Sequence, residues 1–136
     1  METPKLYFMD TGLACYLTRW TSPEVLEKGA MAGAMFETFV VSELLKSWMN
    51  AGKEPPFSYF RDTDQHEVDL LIEDNGRLFP IEIKKTGMPN GDDAQGFKFL
   101  ERGVTGLAVA PGTIICNTET IGIPCKGVFS LPISSI

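Results

Sequence analysis

The chain has 136 residues, 43% of them hydrophobic and 22% charged, with a formal net charge of −6. That length suits one domain with its own core, and the composition argues against disorder. The negative charge argues against unaided, non-specific attraction to nucleic acid.

KLYFMDTGLACYL (5–17) reads as a short strand, Leu6 to Met9, followed by a helical turn capped by Asp10 or Thr11 and carrying Leu13, Ala14 and Leu17. Core-like residues so near the start suggest that more chain precedes them in the natural protein. Residues 30–50, AMAGAMFETFVVSELLKSWMN, form the strongest predicted helix, which stops near Gly52. At about 100° per residue, Val40, Val41, Leu44, Leu45 and Trp48 share one half of the wheel with Phe36. Glu37 lies near the middle of that half.

After GKEPP, the runs FSYFRD, EVDLLIED and RLFPIEIKK are separated by turn residues, and their alternation predicts an antiparallel meander. Asn75-Gly76 favours a tight hairpin between the last two. Residues i and i+2 share a face of a strand, so Glu67 pairs in direction with Asp69, and Glu82 with Lys84. DDAQGFKFLERG is a predicted helix with Phe97 and Leu100 inward and Gly103 as its stop. TGLAVA and TIICN then read as strands, and GVFSLPI as an edge strand broken by Pro132.

The apolar hairpin strands carry acids where a core strand should not. Burying a carboxylate costs on the order of several kcal/mol unless a partner or a metal satisfies it. Asp69 followed by Glu82-Ile83-Lys84 on neighbouring strands places two acids and a lysine together if the register is right. Such a set suits a divalent-metal phosphodiester hydrolase: magnesium prefers oxygen ligands and is typically held by one or two carboxylates plus a substrate phosphate. A nearby ammonium can orient the nucleophile or stabilise developing charge. Glu37, from the preceding helix, can complete or support the cluster.

The D…ExK pattern on a hairpin, with an upstream helical Glu and a following helix and strand, resembles the PD-(D/E)XK nuclease superfamily. YFMDTGL, GAMFETFVVSELLK, HEVDLLIE and FPIEIKKT are similar to the uncharacterised nuclease-like domain at the C-terminal end of many bacterial and archaeal AAA-type ATPases. The resemblance implies an α/β (α+β) restriction-endonuclease-like fold, a central mixed sheet with an antiparallel hairpin flanked by helices, over residues 1–136 as a single domain. It also implies Asp69 and Glu82 as ligands for Mg²⁺ or Mn²⁺, Lys84 as the catalytic lysine, Glu37 as the helical acid, and nucleic acid and an upstream ATPase domain as partners. Two departures stand out. The chain has no GxxxxGK[ST] phosphate loop, so it is not the ATPase part, and Glu67-Val68 precedes Asp69 where the superfamily name carries proline.

Simpler readings apply to the remaining candidates. Glu67 reads as a rim acid, His66 as a solvated loop-edge histidine, and Lys85 as a solvated flank opposite Lys84. Tyr7, Phe8, Phe57, Tyr59 and Phe60 read as core aromatics rather than base-stacking platforms. Cys15, Cys116 and Cys125 are odd in number and lack a CxxC pair, so neither a disulfide framework nor a zinc site is signalled, and they read as inert buried thiols. No apolar run suits a signal peptide or a membrane span, and the expectation is a cytoplasmic protein without membrane contact. Two other functions compete with a nuclease: a catalytically silent module of the same fold that binds nucleic acid or protein for an ATPase, and, more distantly, a carboxylate pair for glycoside hydrolysis.

Overall fold

The computed structural model describes residues 4–136. The chain runs from an irregular segment into α1 (Thr11–Leu17), α2 (Pro23–Lys28) and α3 (Ala32–Asn50). Local chemistry sets the first two: Asp10 accepts a hydrogen bond from the Leu13 amide at 2.9 Å, and Ser22 accepts from Val25 just before Pro23 opens α2. The expected strand at Leu6–Met9 is absent. These residues form no ladder, and Leu6 is 92% exposed, because no neighbouring strand offers them backbone partners.

The strands β1 (Phe57–Arg61), β2 (Glu67–Asp74) and β3 (Arg77–Lys84) form the expected antiparallel meander. Asn75 and Gly76 close the β2–β3 hairpin with φ of 50° and 74°. Positive φ at both central residues is the type I′ geometry that matches strand twist, and glycine adopts it without steric cost. Gly76→Ala should therefore destabilise the protein by about 1 kcal/mol. An unchanged urea midpoint would show that the turn does not depend on this conformation.

A short 3₁₀ turn (Gly91–Ala94) leads into α4 (Gln95–Gly103), which buries Phe97 and Leu100 as expected. Then come β4 (Ala108–Val109), β5 (Gly112–Cys116), β6 (Gly122–Cys125) and β7 (Val128–Pro132). The result is a mixed seven-stranded sheet in the order β1-β2-β3-β5-β7-β6, with β4 also paired to β3. Two expectations are corrected. TGLAVA contributes only the two-residue β4, and GVFSLPI is not an edge: β7 lies between β5, parallel to it, and β6, antiparallel to it. The edge is β6, whose Pro124 suits that position, while Pro132 merely ends β7.

The sheet carries a cluster on each face. On the α3 side, Val40 and Val41 pack with Leu70, Ile81, Ile83 and Ile115, flanked by Phe36 and Leu44. On the α4 side, Phe97 and Leu100 pack with Val68, Leu71, Ile114, Cys116 and Val128. Trp48 packs edge-on against Phe57, with ring centroids 6.2 Å apart. Phe8 departs from the core reading, being 55% exposed, and Cys15 and Cys125 are only half-buried. Among the described residues, no helix is long and apolar enough to cross a membrane.

Candidate metal and phosphodiester site

The site begins with an irregularity in β2. Ser58 pairs with Leu71 and Phe60 with Val68, so Asp69 and Leu70 together stand opposite Tyr59. This two-against-one arrangement is a β-bulge, which bends a strand and re-aims its side chains. The β2–β3 ladder begins only at Leu70 opposite Ile81. Beyond that point the carboxylate of Asp69 takes over from the backbone, and its Oδ2 accepts a hydrogen bond from the Ile83 amide at 2.9 Å. Asp69 is thereby fixed to β3, 8% exposed, at the place where the two strands part.

Alternation along β3 puts Ile81 and Ile83 on the α3 side and Glu82 and Lys84 on the α4 side. Glu82 is 4% exposed. Its Oε2 lies 2.8 Å from Lys84 Nζ, which is also 3.8 Å from Asp69 Oδ2. Burial, then the nearby charge of Asp69, pushes the Glu82 carboxyl up to about 8, with Lys84 pulling the other way. Burial pulls Lys84 down, but its bond to Glu82 and the fields of Glu82 and Asp69 outweigh it and hold Lys84 above the ordinary lysine range. The three groups open onto a cleft of about 490 Å³ whose far wall is the 3₁₀ turn, with Asp92 and Asp93, and the first turns of α4, with Gln95, Gly96 and Phe99. His66 is not a solvated loop residue: it stacks on Phe99 with centroids 3.4 Å apart and bonds Asp62 at 2.7 Å.

Glu37 stands apart from this trio and reaches it through a residue that the sequence did not single out. Lys5 Nζ lies 2.8 Å from Glu37 Oε1, 2.5 Å from Glu67 Oε1 and 3.4 Å from Asp69 Oδ1. Tyr7 also donates to Glu37, at 2.9 Å. Glu67 is more than a rim acid, since it takes part in ion pairs with both Lys5 and Arg61. Lys85 likewise is no free flank, because its ammonium donates to the Glu27 carbonyl at the end of α2. Nothing local announces Lys5, whose contact with Asp69 spans 64 positions. A second acidic set, Asp62, Asp64 and His66, has spacing suited to a metal but sits in the exposed β1–β2 turn.

Residues 32–136 match the family described as domain of unknown function DUF4143. Uncharacterised proteins of Mycobacterium bovis and Mycobacterium tuberculosis are each 36% identical to the chain over 90 residues, covering 65% of the chain and 19% of the relative. The chain thus spans about a fifth of the length of these curated relatives. No solved structure matches it.

Proposed function

We propose that this chain, which belongs to the DUF4143 family, is a PD-(D/E)XK-type nuclease domain of restriction-endonuclease-like fold that hydrolyses phosphodiesters of nucleic acid with magnesium, in association with an AAA-type ATPase. The observation that carries the reading is the buried pair Asp69 and Glu82, joined by Lys84 at the mouth of one cleft. The donor set fits a hard divalent cation, which takes oxygen ligands and is often held by one or two carboxylates. Glu82 supports the fit: burial first and the nearby charge of Asp69 second push its carboxyl up against the pull of Lys84, so a cation between the two acids would relieve their repulsion.

Asp69 and Glu82 would hold the ion, and magnesium there would supply Lewis acidity and a lowered pKa for water. The remaining work falls to the chain. The Ile83 amide fixes Asp69, the bulge aims it, and Lys84 presents an ammonium where negative charge grows as water adds to phosphorus and the P–O bond to the leaving alcohol breaks. Glu37 acts as a positioning acid through Lys5.

A second reading is a catalytically silent module that contacts nucleic acid or protein for the ATPase, and the charge of the cleft favours its silence and a contact made elsewhere on the surface. Glu67, Asp69, Glu82, Asp92 and Asp93 line it against the single lysine Lys84, a field that repels phosphate until a cation enters.

Calorimetric titration of Mn²⁺ separates the two readings. Saturable binding by the native chain, lost in Asp69→Asn and in Glu82→Gln, is expected, with Lys84→Ala lowering cleavage of DNA or RNA by about 100-fold. A folded native chain that takes up no Mn²⁺ would leave the silent module standing.

A further inference from the structure

The ammonium of Lys5 sits in a cage. Carboxylate oxygens of Glu37, Glu67 and Asp69 approach it to 2.8, 2.5 and 3.4 Å. The rings of Tyr7 and Tyr59 complete the surround, with centroids 5.9 and 5.8 Å from Nζ. Aromatic faces and carboxylates together are the chemistry that recognises an organic ammonium. The same three carboxylates do not form a divalent ligand set. Among the described residues, the set of three or more such side chains spaced for one metal is Asp62, Asp64 and His66.

Lys5 also touches the proposed metal site directly. Asp69 offers Oδ2 to the Ile83 amide and the Lys84 side, and Oδ1 to Lys5. One carboxylate is thus shared between a tethered cation on the α3 side and the Glu82–Lys84 pair on the α4 side.

We propose that Lys5 is the resident second cation of the site: its ammonium fills the cage of Glu37, Glu67, Asp69, Tyr7 and Tyr59, holds Asp69 in place, and limits the site to one divalent ion at Asp69 and Glu82. The limit of one ion rests on the function proposed above, whereas the cage stands without it. Lys5 is a positioning residue that acts through Asp69. The segment that carries Lys5 and Tyr7 is thereby tied to the site's charge balance, although it contributes no strand to the sheet.

Two measurements test this. In metal-free buffer, Lys5→Ala should lower Tm by about 10 °C, because removing one partner of a largely buried ionic cluster leaves three carboxylates facing one another. Methylammonium at tens of millimolar should recover a substantial part of that loss, while tetramethylammonium, too bulky for the hydrogen bonds, and sodium should not. The recovery should disappear in Lys5→Ala/Glu37→Gln. Lys5→Gln provides a milder variant if Lys5→Ala does not fold. A native-like Tm in Lys5→Ala, or equal effects of the three cations, overturns the cage.

In the second measurement the native protein is titrated with Mn²⁺, and only ions lost in Asp69→Asn are counted. One such ion supports the proposal; two overturn the limit that Lys5 is said to impose. If no such ion binds, the metal reading of Asp69 and Glu82 fails along with that limit, and the methylammonium result decides the cage on its own.

Discussion

Gly96→Ala should destabilise the protein by about 2–3 kcal/mol, a large effect for a single methyl group. Gly96 lies in the first turn of α4, where the helix crosses β2 and β3. A Cβ at this position would overlap the Glu67 carbonyl oxygen, stand 2.6 Å from Glu82 Oε1, and press on Val68 Cγ2 at 3.2 Å. The first of these is backbone and the other two belong to buried side chains, so none can swing aside. The helix must move outward, and it carries Gln95 and Phe99, which form the cleft wall. Mn²⁺ affinity should therefore fall together with the urea midpoint. Gly33→Ala is the matched control: it makes the same change within α3, where an added Cβ meets nothing within 4 Å. There the lower backbone entropy of alanine should leave stability unchanged or raise it by about 0.5–1 kcal/mol. Equal stability of the two variants would mean that the close approach of α4 to Glu82 does not hold.

Features governed by local rules were legible in the sequence. The β2–β3 hairpin followed from alternation and Asn75-Gly76, α3 from its length and wheel, and the inward faces of Phe97 and Leu100 from their spacing. The apposition of Asp69 with Glu82 and Lys84 was also expected, but the reason for it was not. Strict alternation puts Asp69 on the same face as Leu71, whereas the bulge places it between faces and lets its carboxylate replace a ladder bond to Ile83. A bulge is an agreement between two strands and leaves no mark on one of them. The same holds for β7, whose Pro132 suggests an edge until β6, itself interrupted by Pro124, takes that place. Lys5 and Gly96 were missed because their meaning lies in contacts with Asp69, Glu37 and Glu82 across the fold.

Between about pH 5 and 8, with EDTA present, the native protein should lose stability as pH rises, and Glu82→Gln should not. The Glu82 carboxyl is raised from an ordinary 4.5 to about 8, by burial first and by Asp69 second. The folded state therefore keeps a proton that the unfolded chain releases. For an acid shifted upward, the stabilising contribution is complete below the unfolded value of 4.5 and is lost progressively as pH climbs to about 8. The slope should approach about 1.4 kcal/mol per pH unit in that window. Other shifted groups act elsewhere. Glu67 and Asp62 are held low and matter only as pH falls below their ordinary values, while Cys116, Tyr7, Lys5 and Lys84 are raised from values of 9 or higher. Glutamine keeps the shape of Glu82 and cannot ionise, so the stability difference between the two proteins should favour Glu82→Gln increasingly from pH 5 to 8. Urea unfolding at half-unit pH steps measures that difference directly. Parallel curves would mean that Lys84, at 2.8 Å, neutralises Glu82 well enough for it to stay ionised when folded. In that case the raised Glu82 carboxyl would no longer support the metal reading, which would rest on the placement of Asp69, Glu82 and Lys84 alone.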